Sequence, residues 1–172
     1  AFRYPRGEGT GVALPTSLTP LAIGKGRVLR EGADIALLSL GTRLGECLKA
    51  ADLLEAKGYS VTVADARFAK PLDEALILDL VRRHAVLLTV EEGARGGFGA
   101  HVLHLIHSHP LLVDCSPRID TLTLTDSFQP HDTQAAMYEE AGLTAAPIAA
   151  RAEALAPAPR IRASATTTSH VA

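Results

Sequence analysis

The chain has no tryptophan, and four phenylalanines and three tyrosines are its only aromatic residues. Its core therefore has to be built from Ala, Val, Leu and Ile. Two cysteines, Cys47 and Cys115, are too few and too scattered for a disulfide framework or a zinc site. No apolar run approaches the roughly 20 residues that a membrane-spanning helix requires, and no stretch reads as a secretory signal. An excess of one charge is missing too: Lys and Arg number 17 against 19 Asp and Glu, a net of -2. That balance gives no reason to expect nucleic acid or an anionic membrane as partner, and the expected location is cytoplasmic. Methionine occurs once, at Met137, and the first residue is Ala1, so a piece of a longer protein is expected.

What is present suits one soluble domain plus ends. The 172 residues are 47% hydrophobic and 21% charged, enough to bury a core. Residues 1–26 are rich in proline and glycine without sustained periodicity, which is linker composition. Arg27–Arg30 reads as an edge strand, and 33–40 (ADIALLSL) as a buried strand. Thr42 is placed to cap the helix that follows. Its stripe is Leu44, Cys47, Leu48, Ala51 and Leu54, with Gly58 to end it. A strand over 60–64 leads through DARFAKPLD to a helix capped by Asp73 and buried through Leu76, Ile77, Leu80 and Val81. Next comes a strand over 85–90, a glycine loop, and an apolar helix over 100–107. A strand over 119–124, a loop over 125–132 and helices over 133–141 and 145–155 complete the series. Residues 157–172 have the composition of a disordered tail. Strand–helix repeated three times and closed by a strand implies a largely parallel sheet with helices on both faces.

The glycine loop between Glu92 and the following helix is the most informative stretch. Gly93, Gly96, Gly97 and Gly99 at a strand-to-helix junction mean a tight turn or a close approach. Helix N-termini attract anions, but no Lys-Ser/Thr follows the glycines and two carboxylates precede them. A packed turn at a domain or subunit interface, formed by Glu91, Glu92, Gly96, Gly97, Phe98 and Gly99, is the reading preferred. Glu91 and Glu92 point to opposite sides if they extend the strand, so they do not form an acid/base pair. One of them is suited to capping the loop amides or meeting a neighbouring subunit. His101, His104 and His107 share a helix face but lack further ligands at zinc spacing, and are read as helix-surface histidines. Arg67 and Lys70, beside Asp65 and Asp73, are read as structural ion-pair partners. Arg3 and Arg6 flank a stiff Tyr-Pro pair, where guanidinium donors match phosphate oxygens well; a solvated basic linker is the alternative.

Taken together, FRYPRGEG, IGKGRVLREG, SLGTRLGECLKAADLL, VADARFAKPLDEALI and VEEGARGGFGAHVL resemble the C-terminal part of the 1-deoxy-D-xylulose-5-phosphate synthase family, over about residues 2–155. The resemblance implies that 1–26 end the pyrimidine-binding domain, 27–156 form the transketolase-type C-terminal domain, and 157–172 follow it as a tail. That domain is three-layered, with a mostly parallel five-stranded sheet and an antiparallel edge strand. The resemblance further implies a homodimeric transferase that joins pyruvate to glyceraldehyde 3-phosphate with loss of carbon dioxide. Such an enzyme uses thiamine diphosphate and magnesium, and its product feeds isoprenoid, thiamine and pyridoxal synthesis. Arg3 matches the arginine that helps hold the aldehyde's phosphate; Arg6 matches the motif with a less defined role. No Gly-Asp-Gly run with a downstream Asn is present to hold magnesium and diphosphate, so cofactor binding and catalysis are expected of upstream domains, leaving this part structural and dimer-forming. Over LTDSFQPHD, Asp126, Phe128 and His131 keep the family pattern while Thr125 and Asp132 depart from it. The alternatives are the same domain in a related transketolase or two-oxo-acid dehydrogenase subunit, or an isolated anion-binding module.

Overall fold

The computed structural model describes residues 9, 11–13, 16–17, 19–112 and 117–159. Its strands are β1 (Arg27–Arg30), β2 (Ile35–Leu40), β3 (Val61–Asp65), β4 (Val86–Glu91) and β5 (Arg118–Leu122), in the order β1-β3-β2-β4-β5. The three central strands are apolar runs because both of their faces are covered; β3 and β4 are buried at every position. β2 lies parallel to β3 from Ile35↔Val61 to Ser39↔Asp65, and parallel to β4 from Ile35↔Val86 to Leu40↔Glu91. β5 pairs in parallel with β4, and β1 runs antiparallel along β3. The mostly parallel sheet with an antiparallel edge is therefore as expected.

Among the described residues five α-helices cover the sheet: α1 (Leu44–Glu55), α2 (Glu74–Arg83), α3 (Phe98–Ser108), α4 (Gln134–Glu140) and α5 (Ala145–Leu155). Successive strand side chains point to opposite faces, which splits the core in two. Ile35, Leu37, Val61, Val63, Val86 and Leu88 meet α1 and α5, where Ala50, Ala51, Ala149 and Ala152 contribute to the packed layer. Ala36, Leu38, Ala64 and Leu87 meet α2 and α3 through Ile77, Leu80, Val81, Phe98 and Val102. Each fully buried Leu or Ile contributes about 1.5–3 kcal/mol relative to exposure, so an aromatic-poor chain reaches stability through many medium-sized side chains.

Helix ends explain where expectation and structure differ. Asp73 caps α2 as expected, its Oδ1 accepting from Leu76 N at 3.2 Å and its Oδ2 from Gly26 N at 3.0 Å. Gly58, at φ +92, follows the end of α1, where Tyr59 N donates to Leu54 O at 3.2 Å. Thr42 is not a cap. The chain leaves β2 through a 3-10 turn (Gly41–Arg43), so the α-helical amides begin after Arg43, and Thr42 Oγ1 accepts from Arg43 Nε at 3.2 Å instead. Helix α3 begins at Phe98 rather than Ala100, because a side chain from β4 caps it from outside its own sequence.

Candidate functional site

Neighbouring parallel strands whose connections leave to opposite faces open a crevice at their carboxyl ends. Here β2 leads into α1 on one face, while β4 leads into α3 on the other. The crevice between them receives Arg43 from the turn after β2 and Glu92 from the first position beyond β4. Helix α4 roofs it, and Leu124 follows β5 into its wall, enclosing a cleft of about 680 Å3.

Two of its lining side chains, Glu92 and Tyr138, meet Arg43 beneath it. Arg43 Nη2 lies 3.3 Å from Glu92 Oε1, and the Arg43 guanidinium carbon sits 3.6 Å from the centre of the Tyr138 ring. Tyr138 Oη donates to the same Glu92 oxygen and accepts from Gln134 Nε2 at 3.2 Å. Burial, followed by the bond to Glu92 and its charge, raises the Tyr138 phenol above its ordinary value, so it remains a donor at neutral pH. A cation over a tyrosine face contributes about 0.5–2 kcal/mol, the more so when desolvated. The cluster thus ties α4 to the ends of two central strands, although no residue of α4 is itself buried.

Glu91 takes the other side. It is 5% exposed, and its Oε1 accepts from Gly99 N at 2.8 Å, capping α3 as one of the two glutamates was expected to do. The loop winds around this carboxylate. A Cβ at Gly93 would stand 2.3 Å from Glu91 Oε2, and one at Gly97 2.6 Å from the same oxygen. A Cβ at Gly99 would stand 2.8 Å from both Thr121 Cγ2 and Thr89 Oγ1. Those three glycines have a reason within the chain. Phe98 and Gly99 are buried, so the loop shows solvent mainly Ala94, Arg95 and Gly96.

The two glutamates accordingly serve different neighbours, as strand alternation implied. Arg3, Arg6 and Cys115 lie outside the described residues. His104 and His107 are exposed on α3 and His101 is half-buried. The expected pairing around Asp65 and Asp73 is present in altered form. Arg27 Nε reaches Asp65 Oδ2 at 3.1 Å, Arg67 Nε stands 4.0 Å from the same atom, and Lys25 rather than Lys70 reaches Asp73, at 3.4 Å. Arg67 has φ +57, the one positive value at a non-glycine position among the described residues, and its N–H bonds to Asp65 Oδ1 at 3.0 Å. Sequence reasoning did not find Arg43 and Tyr138. They are far apart along the chain and belong to no local motif; only the fold brings them to Glu92.

An α/β domain with one antiparallel edge strand and a crevice at the carboxyl ends of its parallel strands is the class defined by these features. The chain belongs to the transketolase C-terminal domain family, whose pattern (Transketolase, C-terminal domain) matches residues 24–148. Among solved structures it is similar to a split-gene transketolase in an inactive beta4 tetramer, at 28% identity and a TM-score of 0.72, over 86% of this chain and 48% of that one. It also shares the fold of the transketolase from Campylobacter jejuni subsp. jejuni, at 19% identity and a TM-score of 0.52, over 76% of this chain and 18% of that one. The chain thus spans about half the length of the first of these and a smaller share of the second.

Proposed function

We propose that the chain is the C-terminal part of a 1-deoxy-D-xylulose-5-phosphate synthase, a thiamine diphosphate- and magnesium-dependent transferase acting as a homodimer on pyruvate and glyceraldehyde 3-phosphate. The observation that carries this reading is the series FRYPRGEG, DARFAKPLDEALI and VEEGARGGFGAHVL on a domain of the transketolase C-terminal family. The second and third of these segments have structural duties here. DARFAKPLD holds the Asp65 pairings and the Asp73 cap, and VEEG…GGFG forms the loop wound around Glu91.

The cofactor does not fit the residues of this domain. Among the described residues no three His, Cys, Asp or Glu side chains converge as a metal-binding group. Glu92, one of the two carboxylates lining the cleft, is already engaged by Tyr138 and Arg43. In our reading thiamine diphosphate and magnesium belong to domains upstream, residues 1–26 end the second of those domains, and the isolated chain neither binds the cofactor nor turns over. Arg3 then holds the phosphate of the aldehyde, with Arg6 beside it, and the exposed side of the 93–99 loop faces a neighbouring domain or subunit.

A related transketolase is the second reading, supported by the similarity to the split-gene enzyme. One assay separates the two. The full-length enzyme is given pyruvate with glyceraldehyde 3-phosphate, and separately a ketose phosphate donor with an aldose phosphate acceptor. Aldehyde-dependent release of carbon dioxide from pyruvate is expected; ketol transfer without it would replace the first reading by the second.

A further inference from the structure

The cleft beneath α4 has no part in the reading above. Its volume of about 680 Å3 falls within the roughly 300–1,000 Å3 of small-molecule sites, and it opens where parallel sheets take ligands. Leu124, Met137 and Tyr138 give it apolar surface, while Glu92, Asp132 and Gln129 give it polar groups. Their existing bonds are few. Glu92 Oε1 serves Tyr138 and Arg43, Asp132 Oδ1 accepts from Thr133 N at 2.6 Å, and Gln129 Nε2 donates to Met137 O at 3.1 Å. Among the described residues no hydrogen bond is made to Glu92 Oε2, Asp132 Oδ2 or Gln129 Oε1. All three are acceptors.

The sign of the site follows from this lining. Both carboxylates face the cleft, while among the described residues no lysine or arginine lines it; Arg43 lies beneath, committed to Glu92 and the Tyr138 ring. An anionic group entering would meet repulsion from Glu92 and Asp132, and the lining offers it no lysine or arginine, only the imidazole, hydroxyl and amide groups of His131, Thr133 and Gln134. A flat ring carrying N–H groups would meet apolar contact on its face and carboxylate acceptors at its edge. An occupant would also cover Met137 and Tyr138 on a helix that has no buried residue of its own.

We propose that this cleft binds a nitrogen heterocycle bearing an exocyclic amine and no phosphate, a nucleobase or nucleoside in chemical class. The test is an NMR titration of the 15N-labelled full chain with adenosine and, in parallel, with adenosine 5′-monophosphate. Saturable shifts are expected at the amides of Glu92, Leu124 and the 129–138 segment, with the monophosphate weaker by about fivefold or more from charge repulsion. Asp132→Asn, at an exposed position, should leave the fold intact and bring the two affinities closer; Glu92→Gln should do the same. No saturation with adenosine at millimolar concentration overturns the proposal. So do shifts centred on the 93–99 loop, an equal or tighter monophosphate, or a ratio unmoved by both substitutions.

Discussion

Replacing Glu91 with alanine removes the carboxylate around which the loop after β4 is wound. The group is 5% exposed and accepts the Gly99 N–H at 2.8 Å, at the first turn of α3. A hydrogen bond to a charged acceptor contributes about 1.5–3 kcal/mol, and a carboxylate at a helix N-terminus about 0.3–1 kcal/mol more. Glu91→Ala should therefore cost about 2–4 kcal/mol. With a urea dependence of about 2 kcal/mol per molar, the midpoint should fall by about 1–2 M. Gly93 supplies the control. A Cβ there would lie 2.3 Å from Glu91 Oε2 and 3.0 Å from Cδ, so Gly93→Ala has to expel the carboxylate and break the same bond. Each substitution alone should then be costly, and the double variant only slightly worse than Glu91→Ala. The coupling expected from urea melts of all four proteins is about 1.5–3 kcal/mol. Additive costs would refute the arrangement, as would a Glu91→Ala cost below about 0.5 kcal/mol, the scale of an ordinary surface substitution.

Burial alone would raise the Asp73 carboxyl, but bonds from Leu76 N, Gly26 N and Lys25 outweigh it and hold the group below its ordinary 3.8. Its contribution is thus fully present above that value and is lost as pH falls through the lower folded value; Asp73→Asn should lose stability at pH 7, and a gap to wild type that persists undiminished in acid would contradict the linkage. Burial pushes the Cys47 thiol up to about 12, so in a Cys115→Ser background it should resist iodoacetamide at pH 8 until urea unfolds the chain, and rapid alkylation of the folded protein would disprove the burial. If the full-length enzyme is the synthase proposed above, Arg3→Ala in it should weaken use of glyceraldehyde 3-phosphate by about ten- to a hundred-fold, the equivalent of one charged hydrogen bond, and leave an unphosphorylated aldehyde nearly unaffected. Equal loss with both acceptors would assign Arg3 to the fold.

The sheet was legible because its information is local. IALLSL and VLLTVE cannot be half-exposed without leaving Leu and Val in water, so they read as central strands, and Asp73 and Gly58 mark helix ends by their own chemistry. Thr42 misled for the same reason that capping rules usually work: they assume that the chain enters an α-helix directly, and Gly41–Arg43 form a 3-10 turn first. The glycines of the 93–99 loop were read as a tight turn or a close approach, packed at a domain or subunit interface. Part of their density is room for Glu91, a residue two positions upstream of Gly93 that folds back beneath them. Sequence spacing says that a backbone is approached closely, not by what. Glu92 drew notice in the sequence, but its partners Arg43 and Tyr138 did not, since they come from the turn after β2 and from α4 and meet it only once β2 and β4 are paired.

The adjacent pair Glu91-Glu92 shows how one strand end can set both the structure and the chemistry of this edge. Strand alternation sends consecutive side chains to opposite faces, so two identical residues meet unlike surroundings. Glu91 turns toward the layer of α3, where the Gly99 N–H bonds to it and glycines make way, and it is spent on shaping the loop. Glu92 turns toward Tyr138 and Arg43, keeps one face to the cleft, and leaves acceptor capacity there. Exchanging their roles would require shifting β4 by one residue against β2. That slip would move Val86, Leu88 and Val90 out of the first core layer and Leu87 out of the second. The cleft's charge is therefore fixed by core packing along the strand, and substitutions within β4 that disturb its register should alter the cleft even where they touch none of its walls.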